Sequence, residues 1–71
     1  MRDFAVRLKE ERELNKYTQK QMAEFLNIPL RTYKSYEALG VNHREPDQEL
    51  LLRMAEILET TVDYLLGKVD N

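Results

Sequence analysis

The amino-acid sequence predicts an all-α fold built from five short helices. Apolar residues recur at spacings of three and four along three segments, 4–14, 22–26 and 50–58, as they do in helices with one buried face. Residues that suit helix N-caps, Thr18 and Asp47, stand just before the second and third of these segments. The spacing and the capping residues together predict a small helical domain.

The first helix is predicted from Arg2 to Asn15. Asn15 can end it, because asparagine accepts the left-handed conformation that often follows a helix. Its apolar stripe is predicted to consist of Phe4, Ala5, Leu8 and Leu14.

The second helix follows Thr18, whose hydroxyl can cap it. Its predicted buried face contains Met22, Ala23, Phe25 and Leu26. The helix has to stop at Asn27, which tolerates the left-handed conformation. Pro29 disfavours helical geometry in the residue before it and suits the start of the next helix. The sequence therefore predicts two helices joined by a tight turn.

The third helix is predicted from Leu30 to about Ala38, with Tyr33 and Tyr36 facing the core. Its other face carries two cations, two hydroxyls and no acid: Leu30, Arg31, Thr32, Lys34 and Ser35. A helix with that outer face, held at a fixed angle by a shorter helix, is suited to enter the major groove of DNA.

The loop 40–46 leaves this pair of helices, and we expect the third helix to continue for a further turn before Gly40 stops it. The fourth helix is predicted from Asp47, its cap, to Glu59, with a stripe of Leu50, Leu51, Met54, Ile57 and Leu58.

A short fifth helix is predicted from Val62 to Leu66, capped by Thr60 or Thr61 and closed by Gly67. The last four residues, 68–71, are expected to be frayed. The length of 71 residues predicts one domain, 1–71.

Composition argues against an enzyme, a metal site or a bound cofactor. The chain has one histidine and no cysteine, and it lacks a glycine-rich phosphate loop or converging carboxylates. No small-molecule site is evident. The longest aliphatic run is far shorter than the roughly 20 residues that span a bilayer, so we expect a soluble, cytoplasmic protein without membrane contact.

Charge is unevenly distributed along the chain. The net charge is −2, but residues 1–46 hold nine Lys and Arg against seven Asp and Glu, whereas residues 47–71 hold two against six. A basic face can therefore coexist with an acidic back. The low overall charge predicts only a modest general attraction to DNA.

The chain resembles the λ repressor and Cro type (XRE-like) of helix-turn-helix DNA-binding domains from about Phe4 to Gly67. The residues that carry the resemblance run in order from the second predicted helix to the fifth: Thr18, Gln19, Ala23, Leu26, Ile28, Thr32, Tyr33, Tyr36, Glu37, Pro46, Leu50, Leu51, Met54, Ala55, Leu58 and 62–67. The resemblance implies a sequence-specific, repressor-like transcriptional regulator of bacterial or phage type. It also implies a homodimer on double-stranded DNA, with Val62, Tyr64 and Val69 as candidates for the dimer surface.

The resemblance and side-chain chemistry together predict the DNA contacts. Leu30, Arg31 and Ser35 are the candidate base readers, since a guanidinium can donate two bonds to guanine and Leu30 can pack on thymine methyls. The candidate phosphate and backbone contacts are Thr18, Gln19, Thr32, Lys34, Asn42, His43 and Arg44. Ordinary solvated side chains remain the alternative for Gln19 and His43.

The resemblance also implies an ion pair between Arg12 in the first helix and Glu37 at the end of the third, which would orient the reading helix. The alternative for Arg12 is an exposed pairing within its own helix, which is worth a few tenths of a kcal/mol.

Two departures from the family stand near the ends of helices. The segment from Glu37 to Pro46 is about three residues longer than usual, and Glu59 stands where relatives often have glycine. The low charge and the altered loop leave an alternative function open, a helical protein-interaction module of the same fold that does not bind DNA.

Overall fold

A computed structural model of the chain describes residues 2–69, which contain five α-helices and no β-strand. The helices are α1 (Arg2–Leu14), α2 (Gln19–Leu26), α3 (Leu30–Glu37), α4 (Gln48–Ile57) and α5 (Val62–Leu65). The predicted all-α architecture is therefore confirmed. Within this part of the chain, no helix has the length and apolarity needed to cross a membrane.

One hydrophobic core joins all five helices. α1 packs against α3 and α5, α2 packs against α3 and α4, and α4 packs against α5. The largest fully buried side chains are Phe4, Leu8, Met22, Leu26, Tyr33, Met54, Leu58 and Leu65. The predicted core positions of Tyr33 and Tyr36 are confirmed, whereas Leu14 (73% exposed) and Phe25 (45% exposed) lie outside the core.

The end of α1 differs from the prediction. The helix ends at Leu14, and the left-handed residue is Lys16 (φ 61°) rather than Asn15. Asn15 instead donates its side-chain amide to the carbonyl oxygens of Glu11 at 2.8 Å and Leu58 at 3.4 Å. The asparagine therefore joins the end of α1 to the end of α4.

Both ends of α2, its cap and the turn that leads into α3, follow the prediction closely. The Thr18 hydroxyl accepts the backbone N–H of Gln21 at 3.0 Å, and the Gln21 side chain accepts the N–H of Thr18 at 2.8 Å. This capping box satisfies two donors that a helix start leaves without partners. Asn27 ends α2 in the left-handed conformation with φ 58°, and Pro29 is the extended residue that precedes α3.

The predicted extension of α3 to Ala38 and beyond is wrong. The helix ends at Glu37, and Ala38 is extended with ψ 148°. A continued helix would need the Ser35 carbonyl as an acceptor for the N–H four residues later. That carbonyl accepts the backbone N–H of Arg44 at 3.0 Å instead, so the returning loop takes the place of the next turn.

The α4–α5 connection contains Glu59, the second departure from the family pattern. Asp47 caps α4 through its side chain, as predicted, but the helix ends at Ile57 rather than Glu59. Glu59 adopts the left-handed conformation (φ 56°), which costs a residue with a side chain about 1–2 kcal/mol.

α5 is capped by Thr61 and ends at Leu65, one residue earlier than predicted. Gly67 follows with φ 79°. The backbone N–H of Lys68 donates to the Asp63 carbonyl at 2.9 Å, and the Val69 carbonyl accepts from Arg7 at 3.1 Å. Residues 68–71 were expected to be frayed, and of these residues 70 and 71 lie outside the described part of the chain.

Candidate nucleic-acid interface

The outward face of α3 presents its two cations. Arg31 and Lys34 are exposed, whereas Thr32 and Ser35 are half-buried. The Ser35 hydroxyl donates to the Thr32 carbonyl at 2.6 Å, so its proton is used within the helix. Leu30 is half-buried and packs against the core, which leaves only part of its side chain for an external contact.

The loop after α3 is folded back along that helix. His43 donates its backbone N–H to the Gly40 carbonyl at 3.0 Å, which closes a turn with Val41 and Asn42 at its tip. The Nδ1 atom of His43 lies 2.9 Å from the Ala38 carbonyl oxygen, and it must be the donor because a carbonyl can only accept. The same ring meets the ring of Phe4 edge-on at 6.4 Å. These contacts fix the turn beside α3.

A cleft of about 340 Å³ separates the outward face of α3 from this turn. Among the described residues, its walls carry two guanidinium groups and no carboxylate. The lining residues are Arg31, Thr32, Ser35, Val41, Asn42, His43 and Arg44. Six of these seven are predicted site residues, so three of the predicted α3 contacts share one surface with the three predicted loop contacts. Leu30 and Lys34 do not line this cleft.

Val41 is the lining residue that sequence reasoning missed. Its side chain is fully exposed at the tip of the turn. A single valine in an irregular loop carries no periodicity and no charge, so the sequence contains no signal that would have selected it.

The N-terminus of α2 forms a second group of predicted contacts. Thr18 caps the helix, and its hydroxyl and carbonyl take the N–H groups of Gln21 and Met22. The N–H groups of Gln19 and Lys20 in the first turn are left for an external acceptor, the arrangement that binds anions at helix N-termini. Thr18 and Gln19 do not line the cleft beside Arg31.

Arg12 and Glu37 are paired in the structure, as the resemblance implies. The Nε atom of Arg12 lies 2.8 Å from one carboxylate oxygen of Glu37, and Nη2 lies 3.2 Å from the other. The two side chains are only 10% and 4% exposed. The hydrogen bond to Glu37 raises the pKa of the Arg12 guanidinium, which also donates to the Tyr17 carbonyl at 2.8 Å. The pair therefore connects α1, the connection before α2 and the end of α3.

Tyr33 and Gln19 complete this cluster. The Tyr33 hydroxyl donates to Glu37 at 2.5 Å, and the Gln19 amide donates to Glu37 at 3.1 Å. Burial raises the pKa of the Tyr33 hydroxyl far above its ordinary value, and the hydrogen bond to the Glu37 carboxylate raises it further. Neither link was expected from the sequence. Tyr33 and Glu37 stand four residues apart on α3, whereas the Gln19 link depends on how α2 packs against α3.

A metal centre has no support in the described part of the chain. Among residues 2–69, no group of three or more histidine, cysteine, aspartate or glutamate side chains is arranged to hold a metal ion.

Comparison with known proteins identifies the family. Residues 8–65 match the family model described as Helix-turn-helix. The chain is 44% identical over 62 residues to the HTH-type transcriptional regulator ImmR of Bacillus subtilis, covering 87% of this chain and 46% of ImmR. It is 40% identical over 68 residues to the uncharacterized HTH-type transcriptional regulator YqaE of the same organism, covering 96% and 56%.

A phage protein is also similar. The cryptic phage CTXphi transcriptional repressor RstR of Vibrio cholerae is 37% identical over 62 residues, covering 87% of this chain and 51% of RstR. The chain thus spans about half the length of these curated relatives. No solved structure matches it significantly. The family match over most of the chain, together with the α2–turn–α3 geometry, shows that the protein belongs to the helix-turn-helix family.

Proposed function

We propose that the chain binds double-stranded DNA sequence-specifically and acts as the DNA-binding module of a repressor-like transcriptional regulator. One observation carries the proposal: α3 exposes Arg31 and Lys34, while its only acid, Glu37, is turned inward and neutralised by Arg12. The surface that would meet DNA phosphates therefore has no competing negative charge on this helix.

Two sets of contacts would hold the duplex. The first residues of α3 would enter the major groove, with Arg31 donating to a guanine and Leu30 and Ser35 making smaller base contacts. The flanking backbone would be held by Thr18, Gln19, Thr32, Lys34, Asn42, His43 and Arg44. The cleft supports six of these contacts, because residues of α3 and of the loop line it together: Arg31, Thr32, Ser35, Asn42, His43 and Arg44.

The size of the chain supports a homodimer. The chain measures 29 × 26 × 22 Å, whereas successive major grooves on one side of DNA lie about 34 Å apart. One copy therefore reaches one half-site, and two copies on a pseudo-palindrome are needed for the affinity of a specific regulator. We place the protein in a bacterial cytoplasm, because its relatives are bacterial and phage regulators that would meet their DNA there.

Selection of bound sites from random duplex DNA tests this proposal directly. We expect enrichment of a two-fold symmetric sequence whose half-sites are about 10 base pairs apart from centre to centre. The affinity for the selected duplex is then measured over a salt series. It should fall steeply between low and moderate salt, because each neutralised phosphate releases counterions.

The same experiment separates DNA binding from the alternative of a protein-interaction module. A mainly apolar partner contact would be almost insensitive to salt over this range. Failure to enrich any sequence, with no saturable binding at low salt, would contradict the proposed function.

A further inference from the structure

The Glu37 carboxylate accepts four hydrogen bonds from three side chains. One oxygen accepts from Arg12 Nε at 2.8 Å and from the Tyr33 hydroxyl at 2.5 Å. The other accepts from Arg12 Nη2 at 3.2 Å and from Gln19 Nε2 at 3.1 Å. The carboxylate is only 4% exposed, so these four donors define its position closely.

Gln19 is the member of this cluster that also belongs to the candidate interface. It is the first residue of α2, where N–H groups are left for an anion. A primary amide has two N–H groups, and the bond to Glu37 occupies one of them. The other remains for an external acceptor, in an orientation that the buried carboxylate sets.

A carboxylate close to a phosphate site would ordinarily repel the phosphate. Here Arg12 neutralises Glu37 through two hydrogen bonds, and the Tyr33 hydroxyl stabilises the same carboxylate by donating a third. The cluster can therefore hold the Gln19 amide without placing uncompensated negative charge behind the bound DNA.

We propose that Glu37 is a positioning residue for the DNA-phosphate contact of Gln19. The carboxylate at the end of α3 fixes the amide at the start of α2, so that amide and backbone N–H groups bind one phosphate together. The inference depends on the proposed DNA binding. It goes beyond the Arg12–Glu37 pair, because the oxygen that accepts from Arg12 Nη2 also holds the Gln19 amide.

Neutralising one phosphate at a time in the selected duplex, with methylphosphonate, tests the proposal. For the unmodified chain, we expect about a tenfold loss of affinity at one phosphate in each half-site. Gln19→Ala should remove the sensitivity to that phosphate alone. Glu37→Gln should remove it too, because its single oxygen stays with Arg12 Nε and Tyr33 and its NH₂ group then faces Gln19.

Tyr33→Phe is the matched control. It removes a donor from the same carboxylate, on the oxygen that Gln19 does not use, and it should keep the tenfold sensitivity. The double variant Gln19→Ala/Glu37→Gln should lose no more at that phosphate than Gln19→Ala alone. Equal residual sensitivity in Glu37→Gln and Tyr33→Phe, or additive losses in the double variant, would overturn the inference.

A measurement on the unmodified chain makes the test independent of variant folding. The side-chain NH₂ signals of Gln19 should show one hydrogen-bonded proton in the free protein, and that bond should persist in the complex with the selected duplex. An amide that rotates freely in the complex would overturn the positioning role. If the chain binds no duplex at all, the proposed function fails and the inference fails with it, whereas binding without this coupling removes the inference alone.

Discussion

One face of α3 is buried against the rest of the molecule, and the other is exposed to solvent. On the inner face, Tyr33 is fully buried, Tyr36 is 6% exposed and Glu37 is bonded to three other side chains. On the outer face, Arg31 and Lys34 extend into solvent. Eight residues thus divide the requirements of folding and of recognition between two sides of one helix. Substitutions on the inner face should change stability first, and substitutions on the outer face should change DNA binding first.

The largest expected effect is on the inner face. Arg12→Met leaves the nearly buried Glu37 carboxylate without its cation, which costs about 3–5 kcal/mol of unfolding free energy. That is comparable with the whole stability of a domain this small. Urea unfolding followed by circular dichroism measures the loss. Lys34→Met on the outer face is the control, and it should stay within about 0.5 kcal/mol of the unmodified chain.

Equal losses in Arg12→Met and Lys34→Met would remove the distinction between the two faces. A small loss in both would show that the Arg12–Glu37 pair behaves as a solvated surface pair, which contributes about 0–1 kcal/mol.

On the outer face, substitutions of Arg31 and of Lys34 should affect DNA binding in different ways. Arg31→Ala should cost about 1–3 kcal/mol of binding and relax the preference for one base pair, because a bidentate guanine contact is lost. Lys34→Ala should weaken all sequences alike and lower the salt slope by about 1. Competition binding with single-base variants of the selected duplex distinguishes them. Lys68→Ala removes the same charge outside the interface, and it should change neither the base preference nor the general affinity for DNA.

Tyr33→Phe tests the inner face through pH. The raised pKa means that the folded chain keeps the Tyr33 proton at pH values where the unfolded chain releases it. This stabilisation is complete below the ordinary tyrosine pKa of 10.0 and declines as the pH rises above it. We expect Tyr33→Phe to cost about 1 kcal/mol at neutral pH and to flatten the loss of unfolding free energy above pH 10. An unchanged slope above pH 10 would assign that loss to other groups.

Sequence patterns predicted the parts of the fold that depend on local geometry. Asn27 and Pro29 specify the turn between α2 and α3 by their own backbone preferences, and Thr18 specifies a cap by its hydroxyl. These are properties of one residue and its immediate neighbours. They remain valid whatever the rest of the chain does.

The wrong predictions concern competition between distant groups. Asn15 was expected to take the left-handed position, but its amide bonds to Leu58 and the neighbouring Lys16 takes that position instead. α3 was expected to continue, but the N–H of Arg44 takes the Ser35 carbonyl. In the candidate site, the link from Gln19 to Glu37 depends on how α2 packs against α3. None of these partners can be identified from spacing along the chain.

The smallest expected effect tests whether the turn beside α3 belongs to the outer face at all. Val41 is fully exposed at the rim of the cleft that contains Arg31, so DNA in that cleft would cover it. Val41→Ser should then weaken binding by about 0.5–1 kcal/mol through lost apolar contact, a part of what full burial of a valine contributes. Leu39→Ser is the control, because Leu39 is 59% exposed in the same loop but lies outside the cleft. Titration of both variants against the selected duplex should show a loss for Val41→Ser only. A matching loss for Leu39→Ser would mean that general loop hydrophobicity, and not the position of Val41 in the cleft, determines the effect.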